Sequence, residues 1–205
     1  MIVGLCGRSG SGKRYVSSLF ERYGIPSIDT DAVYRDLTSP ADTLSPCMTE
    51  IIARFGADAA LSDNSLNREY LRKIVFSGDK EALSDLNKIT HKFILRETLK
   101  RVDEFYENGF TIIIIEVPLL FESEFCNVCD YIVCVTASEE TSITRIVERD
   151  GISREDAIRR LSTQMSSEEL ARRSDEVIHN NDADTVMSEV EELADKIRQI
   201  YSAKN

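Results

Sequence analysis

Residues 7–13 read Gly-Arg-Ser-Gly-Ser-Gly-Lys and follow directly on the apolar run Ile2-Val3-Gly4-Leu5-Cys6. A strand that feeds a glycine-rich loop ending in Gly-Lys builds a cradle for phosphate. Glycines let consecutive backbone N–H groups turn toward one centre, the loop opens a helix N-terminus, and the lysine reaches the outer phosphates. Gly7, Gly12 and Lys13 satisfy G-x-x-x-x-G-K, with Ser9, Gly10 and Ser11 inside the loop. The next position, where a Ser or Thr hydroxyl would meet Mg²⁺, is Arg14. An amphipathic segment follows (Tyr15, Val16, Leu19, Phe20) and stops at Tyr23-Gly24, so the loop opens a helix and is more than a tight turn. The pattern implies binding of a nucleoside triphosphate.

Further carboxylates stand where strands end. Ile28-Asp29-Thr30-Asp31 closes the second apolar run, and Glu116 closes Ile112–Ile115. In an open α/β sheet ligands sit outside the carboxyl ends of the strands, where a carboxylate accepts a proton from a hydroxyl or serves a metal ion. The plainer roles are helix capping for Asp29 or Asp31 and strand termination for Glu116. Arg35 lies one turn past Asp31, and Pro118 forces the chain out of the sheet after Glu116. Between Arg145 and Arg173 there are seven arginines and no lysine. Guanidinium forks suit phosphate oxygens, and Arg145 with Arg149, like Arg160 with Gln164, are four apart on one helix face. A mobile arginine lid is one reading; a solvated face of ion pairs is the other.

The elements that must position these groups are legible as apolar periodicity. Strand-type runs lie at Ile2–Cys6, Ile25–Ile28, Thr111–Ile115 and Tyr131–Val135, with a shorter fifth at Glu176–Ile178. Apolar strands separated by helices predict an α/β fold on a parallel sheet. Residues 32–108 carry no strand signal and repeat apolar groups at helical spacing (Ile51, Ile52, Phe55; Leu71, Ile74, Val75; Phe93, Ile94, Leu99, Val102), which predicts a helical insertion. Ser138, Ser153 with Asp156, and Ser166 with Glu169 mark three helix starts over 138–173. Val186, Val190, Leu193, Ile197 and Ile200 form one core stripe on a last helix.

A chain of 205 residues fits one domain with an inserted subdomain. Its net charge of −11 disfavours nucleic acid and anionic membrane as partners and suits a protein that handles small anions at a local basic site. No apolar run approaches a membrane span and no signal peptide is visible, so a cytosolic location is expected. Five cysteines, an odd number, suit free thiols. Cys126-Asn-Val-Cys129 has C-x-x-C spacing but no second pair, and a structural role is preferred over zinc or redox chemistry.

Taken together, these stretches resemble dephospho-CoA kinase. The resemblance runs through GLCGRSGSGK at 4–13, IDTDAVYR at 28–35, LNREYLRKIVF at 66–76, His91, EVPLLFE at 116–122, RIVERDG at 145–151, AIRRLSTQM at 157–165 and RSDEVIHNN at 173–181. It implies a three-layer P-loop kinase fold like that of nucleoside monophosphate kinases. The core would be 1–31, 109–137 and 174–205, with a substrate-binding insertion at 32–108 and a lid at 138–173. It implies transfer of the ATP γ-phosphoryl group to the ribose 3′-hydroxyl of dephospho-CoA with Mg²⁺, by a monomer or small homo-oligomer. Asp31 would be the general base. Gly7, Ser9, Gly10, Ser11, Gly12, Lys13, Arg14, Arg145, Arg149 and Asn180 would meet ATP, Asn180 near the adenine-side loop, with Lys13 and Arg145 aiding catalysis. Asp31, Arg35, His91, Pro118, Leu119, Leu120, Phe121, Glu122 and Arg160 would border the acceptor, and Asp31 and Glu116 the metal. The sequence departs from the family's pattern at Arg14, Asn67, Lys92 and Leu170, and lacks a glycine after Asn181. The alternatives are another small-molecule kinase, or a nucleotide-binding relative whose metal site Arg14 has impaired.

Overall fold

The apolar runs pair as a parallel sheet because each is too hydrophobic to face water on either side. In the computed structural model, which describes residues 1–75 and 81–204, β1 (Ile2–Cys6), β2 (Ser27–Asp29), β3 (Ile113–Glu116), β4 (Tyr131–Thr136) and β5 (Glu176–His179) lie in the order β2-β3-β1-β4-β5. Every pairing is parallel. The expected five-stranded parallel sheet of the α/β class is therefore present. Two strands start later than the apolar runs suggest. Pro26 has no N–H for a ladder, so β2 begins at Ser27, although the Pro26 carbonyl still accepts from Ile114 N at 2.9 Å. β3 begins at Ile113.

The chain divides into two compact units. The first, Met1–Asp29 with Val102–Asn205, holds the sheet together with α1 (Lys13–Arg22), α6 (Glu139–Asp150), α7 (Arg154–Ser162), α8 (Ser167–Arg173) and α9 (Ala183–Lys204). Alternation along the strands sends Val3, Leu5, Ile114, Val133, Val135 and Ile178 to one face. They pack there against Val16, Leu19 and Phe20 of α1 and Val186, Val190, Leu193 and Ile197 of α9. The stripe read along the last helix is core at these four positions, each such side chain contributing about 1.5–3 kcal/mol on burial, while Ile200 at its end is only half-buried. A satellite core of Ile143, Ile146, Ala157 and Leu161 ties α6 to α7. The three serine caps are in place: Ser138, Ser153 and Ser166 accept from the N–H of Thr141, Asp156 and Glu169.

The second unit, Thr30–Arg101, is helical: α2 (Thr30–Leu37), α3 (Pro46–Phe55), α4 (Arg68–Val75) and most of α5 (Ala82–Glu107). Cys47, Met48, Ile51, Phe55, Leu71 and Phe93 are buried together there. Asn67, where the family's pattern has an aspartate, caps α4 as an aspartate would: its Oδ1 accepts from Tyr70 N at 3.1 Å. Lys92 pairs with Glu50 at 2.7 Å. Phe76, the last residue of the 66–76 stretch, lies outside the described residues.

Candidate active site

The glycine-rich loop joins the end of β1 to α1, and no side chain caps the α1 N-terminus. An uncapped helix start with a glycine-rich approach is an anion site by construction. Gly10 and Gly12 both lie in the left-handed region, with φ of 77° and 88°. Lys13 Nζ is curled over the loop, donating to the carbonyls of Gly7 at 2.8 Å and Arg8 at 3.4 Å.

Three side chains from elsewhere in the first unit fasten the loop. Gln164, between α7 and α8, accepts from Ser9 N at 2.9 Å and donates to Ser9 Oγ at 3.0 Å. Arg145 of α6 donates through Nη1 to the carbonyls of Gly10 at 3.3 Å and Ser11 at 3.4 Å. Asn180, just past β5, donates through Nδ2 to the Ser11 carbonyl at 2.7 Å. In return, Arg8 Nη2 donates from the loop to the Leu161 carbonyl of α7 at 2.6 Å. Leu161 belongs to the α6–α7 satellite core, so that core holds the loop at one remove.

Of the arginines at 145–173, Arg145 alone has a hydrogen bond to the loop among the described contacts. Arg149 and Arg160 converge on Asp150, and the Arg149 guanidinium beside it holds that carboxyl down to about 2. Arg154 forms a fork-to-fork pair with Glu140, Arg159 pairs with Asp156, and Arg172 and Arg173 share Glu169. The solvated ion-pair reading fits these residues.

Glu116 ends β3 in register with Asp29 at the end of β2. It is 7% exposed and accepts a short hydrogen bond from Ser17 Oγ on the inner face of α1. Burial pushes the Glu116 carboxyl above the usual carboxylate range; Asp29 adds to this, while the Ser17 hydroxyl, Lys13 and Arg14 oppose it. Ser17 was not among the residues expected from sequence. Its signal is a hydroxyl four residues after Lys13, on the same face as the apolar Val16, Leu19 and Phe20. Gln164 was missed as a loop contact for want of any sign of its direction.

The stretch after Glu116 divides by burial. Leu120 is fully buried against the Gly4 position and is a core residue. Leu119 and Glu122 are exposed, Pro118 and Phe121 half-buried, and the Arg173 guanidinium lies 5.8 Å from the Phe121 ring centre. In the second unit Asp31 stands in the first turn of α2 and Arg35 in its last, both exposed, and His91 is half-buried on α5.

Residues 1–185 match the dephospho-CoA kinase family model. The chain belongs to the dephospho-CoA kinase family. The dephospho-CoA kinase of Listeria monocytogenes serotype 4b is 38% identical over 181 residues, covering 88% of each chain. A Thermus thermophilus protein of solved structure, TT1252, superposes with a TM-score of 0.76 at 27% identity, covering 92% of each chain. The dephospho-CoA kinase of Campylobacter jejuni shares the fold, with a TM-score of 0.67 at 24% identity over 100% of this chain and 98% of that one. The P-loop kinase fold expected from sequence is thereby shown, and the family places the chain at the last step of coenzyme A synthesis. Nothing in these likenesses supports a catalytically silent relative. Among the described residues no helix is long and apolar enough to cross a membrane.

Proposed function

We propose that the chain moves the γ-phosphoryl group of ATP to the ribose 3′-hydroxyl of dephospho-CoA, with each group of residues in the role its chemistry fits. The observation that carries this reading is the fastened phosphate loop: its carbonyls are engaged by Asn180, Arg145 and Lys13, at a helix start no side chain caps. Preorganised N–H dipoles stabilise charge developing on a transferring phosphoryl group without reorganising during the reaction. Gly10 to Lys13 would hold the β- and γ-phosphates, with Gly7, Ser9 and Arg14 beside them. Lys13 and Arg145 supply compensating positive charge. Asp31, two residues beyond the tip of β2, takes the 3′-hydroxyl proton as the oxygen attacks phosphorus and ADP departs. Arg35, His91, Pro118, Leu119, Phe121, Glu122 and Arg160 are assigned to the acceptor, with Arg149 on the ATP side.

The donor set fits Mg²⁺ carried largely by the triphosphate and water. Mg²⁺ is held by one or two carboxylates plus phosphates, and Glu116 with Asp29 in register beside it, or Asp31 next along the chain, provides them. Arg14 excludes the direct hydroxyl ligand usual after the lysine. When bound, the ion neutralises charge on the β- and γ-oxygens.

The test is conversion of dephospho-CoA to CoA with ATP and Mg²⁺, run beside Arg14→Ser. Turnover by the unmodified chain is expected. No turnover by the chain, with activity appearing in Arg14→Ser, would mean that Arg14 blocks the reaction. Silence from both despite ATP binding would overturn the assigned acceptor.

A further inference from the structure

Asn180, expected near the adenine-side loop, turns its side chain to the phosphate loop. The residue is 3% exposed. Its backbone N–H is engaged by the Thr136 carbonyl at 2.7 Å, extending the β4·β5 ladder by one step, so the carboxamide is not needed to satisfy its own turn. That carboxamide reaches across 169 residues of sequence to the Ser11 carbonyl. A trans peptide carries its C=O and N–H on opposite sides. Drawing the Ser11 carbonyl toward Asn180 therefore turns the Gly12 N–H to the opposite side of that peptide, away from Asn180.

The approach is close enough to restrict what can stand at position 12. A Cβ on Gly12 would overlap Asn180 Nδ2 and lie 3.4 Å from Arg145 Nη1. Gly12 is also the residue before the first turn of α1, so whatever sets its peptide plane sets the direction of the helix start. The neighbouring Asn181 acts in parallel: its Oδ1 accepts from Ser138 N at 2.7 Å, fixing the start of α6, the helix that carries Arg145 to the same loop. Two successive carboxamides thus tie the phosphate loop and its arginine to the edge of the sheet.

We infer that Asn180 is a positioning residue for phosphoryl transfer: by holding the Ser11 carbonyl it aims the Gly12 N–H at the triphosphate and makes no contact with the base. The inference rests on the phosphate-loop reading above. It predicts a loss confined to ligands that occupy the loop.

The experiment measures, by calorimetry, the dissociation constants of ATP, inorganic tripolyphosphate and AMP for the chain and for Asn180→Leu. That variant keeps the branched shape without donors or added charge; Asn180→Ser serves as a second variant should Leu disturb folding by circular dichroism. The expected result is about tenfold weaker ATP and tripolyphosphate binding with AMP unchanged, and an unchanged KM for dephospho-CoA. Equal losses for ATP and AMP with tripolyphosphate unaffected would identify a base contact and overturn the inference. No change in any constant would overturn it as well. Failure of the unmodified chain to bind tripolyphosphate would instead remove the phosphate-loop reading itself.

Discussion

Gly10 is the position where the loop's dependence on α6 can be measured. With φ of 77°, alanine there incurs the left-handed cost of roughly 1–2 kcal/mol. A Cβ would also lie 2.8 Å from Cα and 2.9 Å from C of Ser142. These are backbone atoms of a helix anchored by its Ser138 cap and by the satellite core, so they cannot give way as a side-chain tip would. Overpacking of this kind costs about 1–3 kcal/mol more. Gly151 is the control: φ is 64°, it ends the same helix, and nothing lies within 4 Å of its Cβ position. Gly151→Ala should lose only the backbone cost, and Gly10→Ala that plus the contact. At about 2–4 °C per kcal/mol for a chain of this size, the two melting temperatures should differ by at least about 2 °C. Thermal unfolding followed by far-UV circular dichroism reads this, since the chain has no tryptophan. Only Gly10→Ala should also lose tripolyphosphate binding. Equal melting temperatures, or binding kept by both, would refute the idea that the loop rests on the α6 backbone.

Asp31→Asn should leave ATP affinity nearly unchanged while cutting turnover by about 10²–10⁴-fold; undiminished turnover would take Asp31 out of the base role. The Asp150 carboxyl, held to about 2 by Arg149, has a folded value below its ordinary 3.8. Its contribution is therefore fully present above about pH 4 and is lost as pH falls from there toward 2. Because the pair is solvent-facing the loss should stay under about 1 kcal/mol. Asp150→Asn should be less stable than the unmodified chain by under about 1 kcal/mol above about pH 4, and the two stability-against-pH curves should converge as pH falls toward 2; a difference that persists or grows below pH 2 would contradict this.

The sheet was legible because buried parallel strands must be apolar on both faces, and the three serine-capped helix starts because a cap is a local event between residues three apart. The strand boundaries slipped at Pro26 and Thr111, where apolar character continues past the hydrogen-bonded ladder. Within the loop, Gly7, Gly12 and Lys13 stood out by spacing alone. What holds the loop did not, since Asn180 and Gln164 lie over 150 residues away and only the folded register of β4 and β5 brings Asn180 beneath Ser11. Composition likewise could not divide the arginines: Arg145 and Arg149 share a helix face, yet one reaches Gly10 and Ser11 while the other pairs with Asp150.

The same distinction between type and direction bears on Arg14. Ser17, a buried hydroxyl one turn past the lysine, is not a displaced substitute for the missing metal ligand. A hydroxyl has a single proton, and that of Ser17 faces two acceptors, the Arg14 carbonyl at 3.1 Å and the Glu116 carboxylate. The charged acceptor makes the stronger bond. Ser17 is thus committed to easing the burial of Glu116, opposing the rise that burial imposes on that carboxyl. Lys13 and Arg14 oppose, and Asp29 reinforces, the rise that burial imposes on Glu116, and a serine at position 14 would remove one of the two opposing cations. On the proposed function, Arg14 would add positive charge of the kind an ion contributes, and the octahedral ordering of Mg²⁺ would fall to the triphosphate and water.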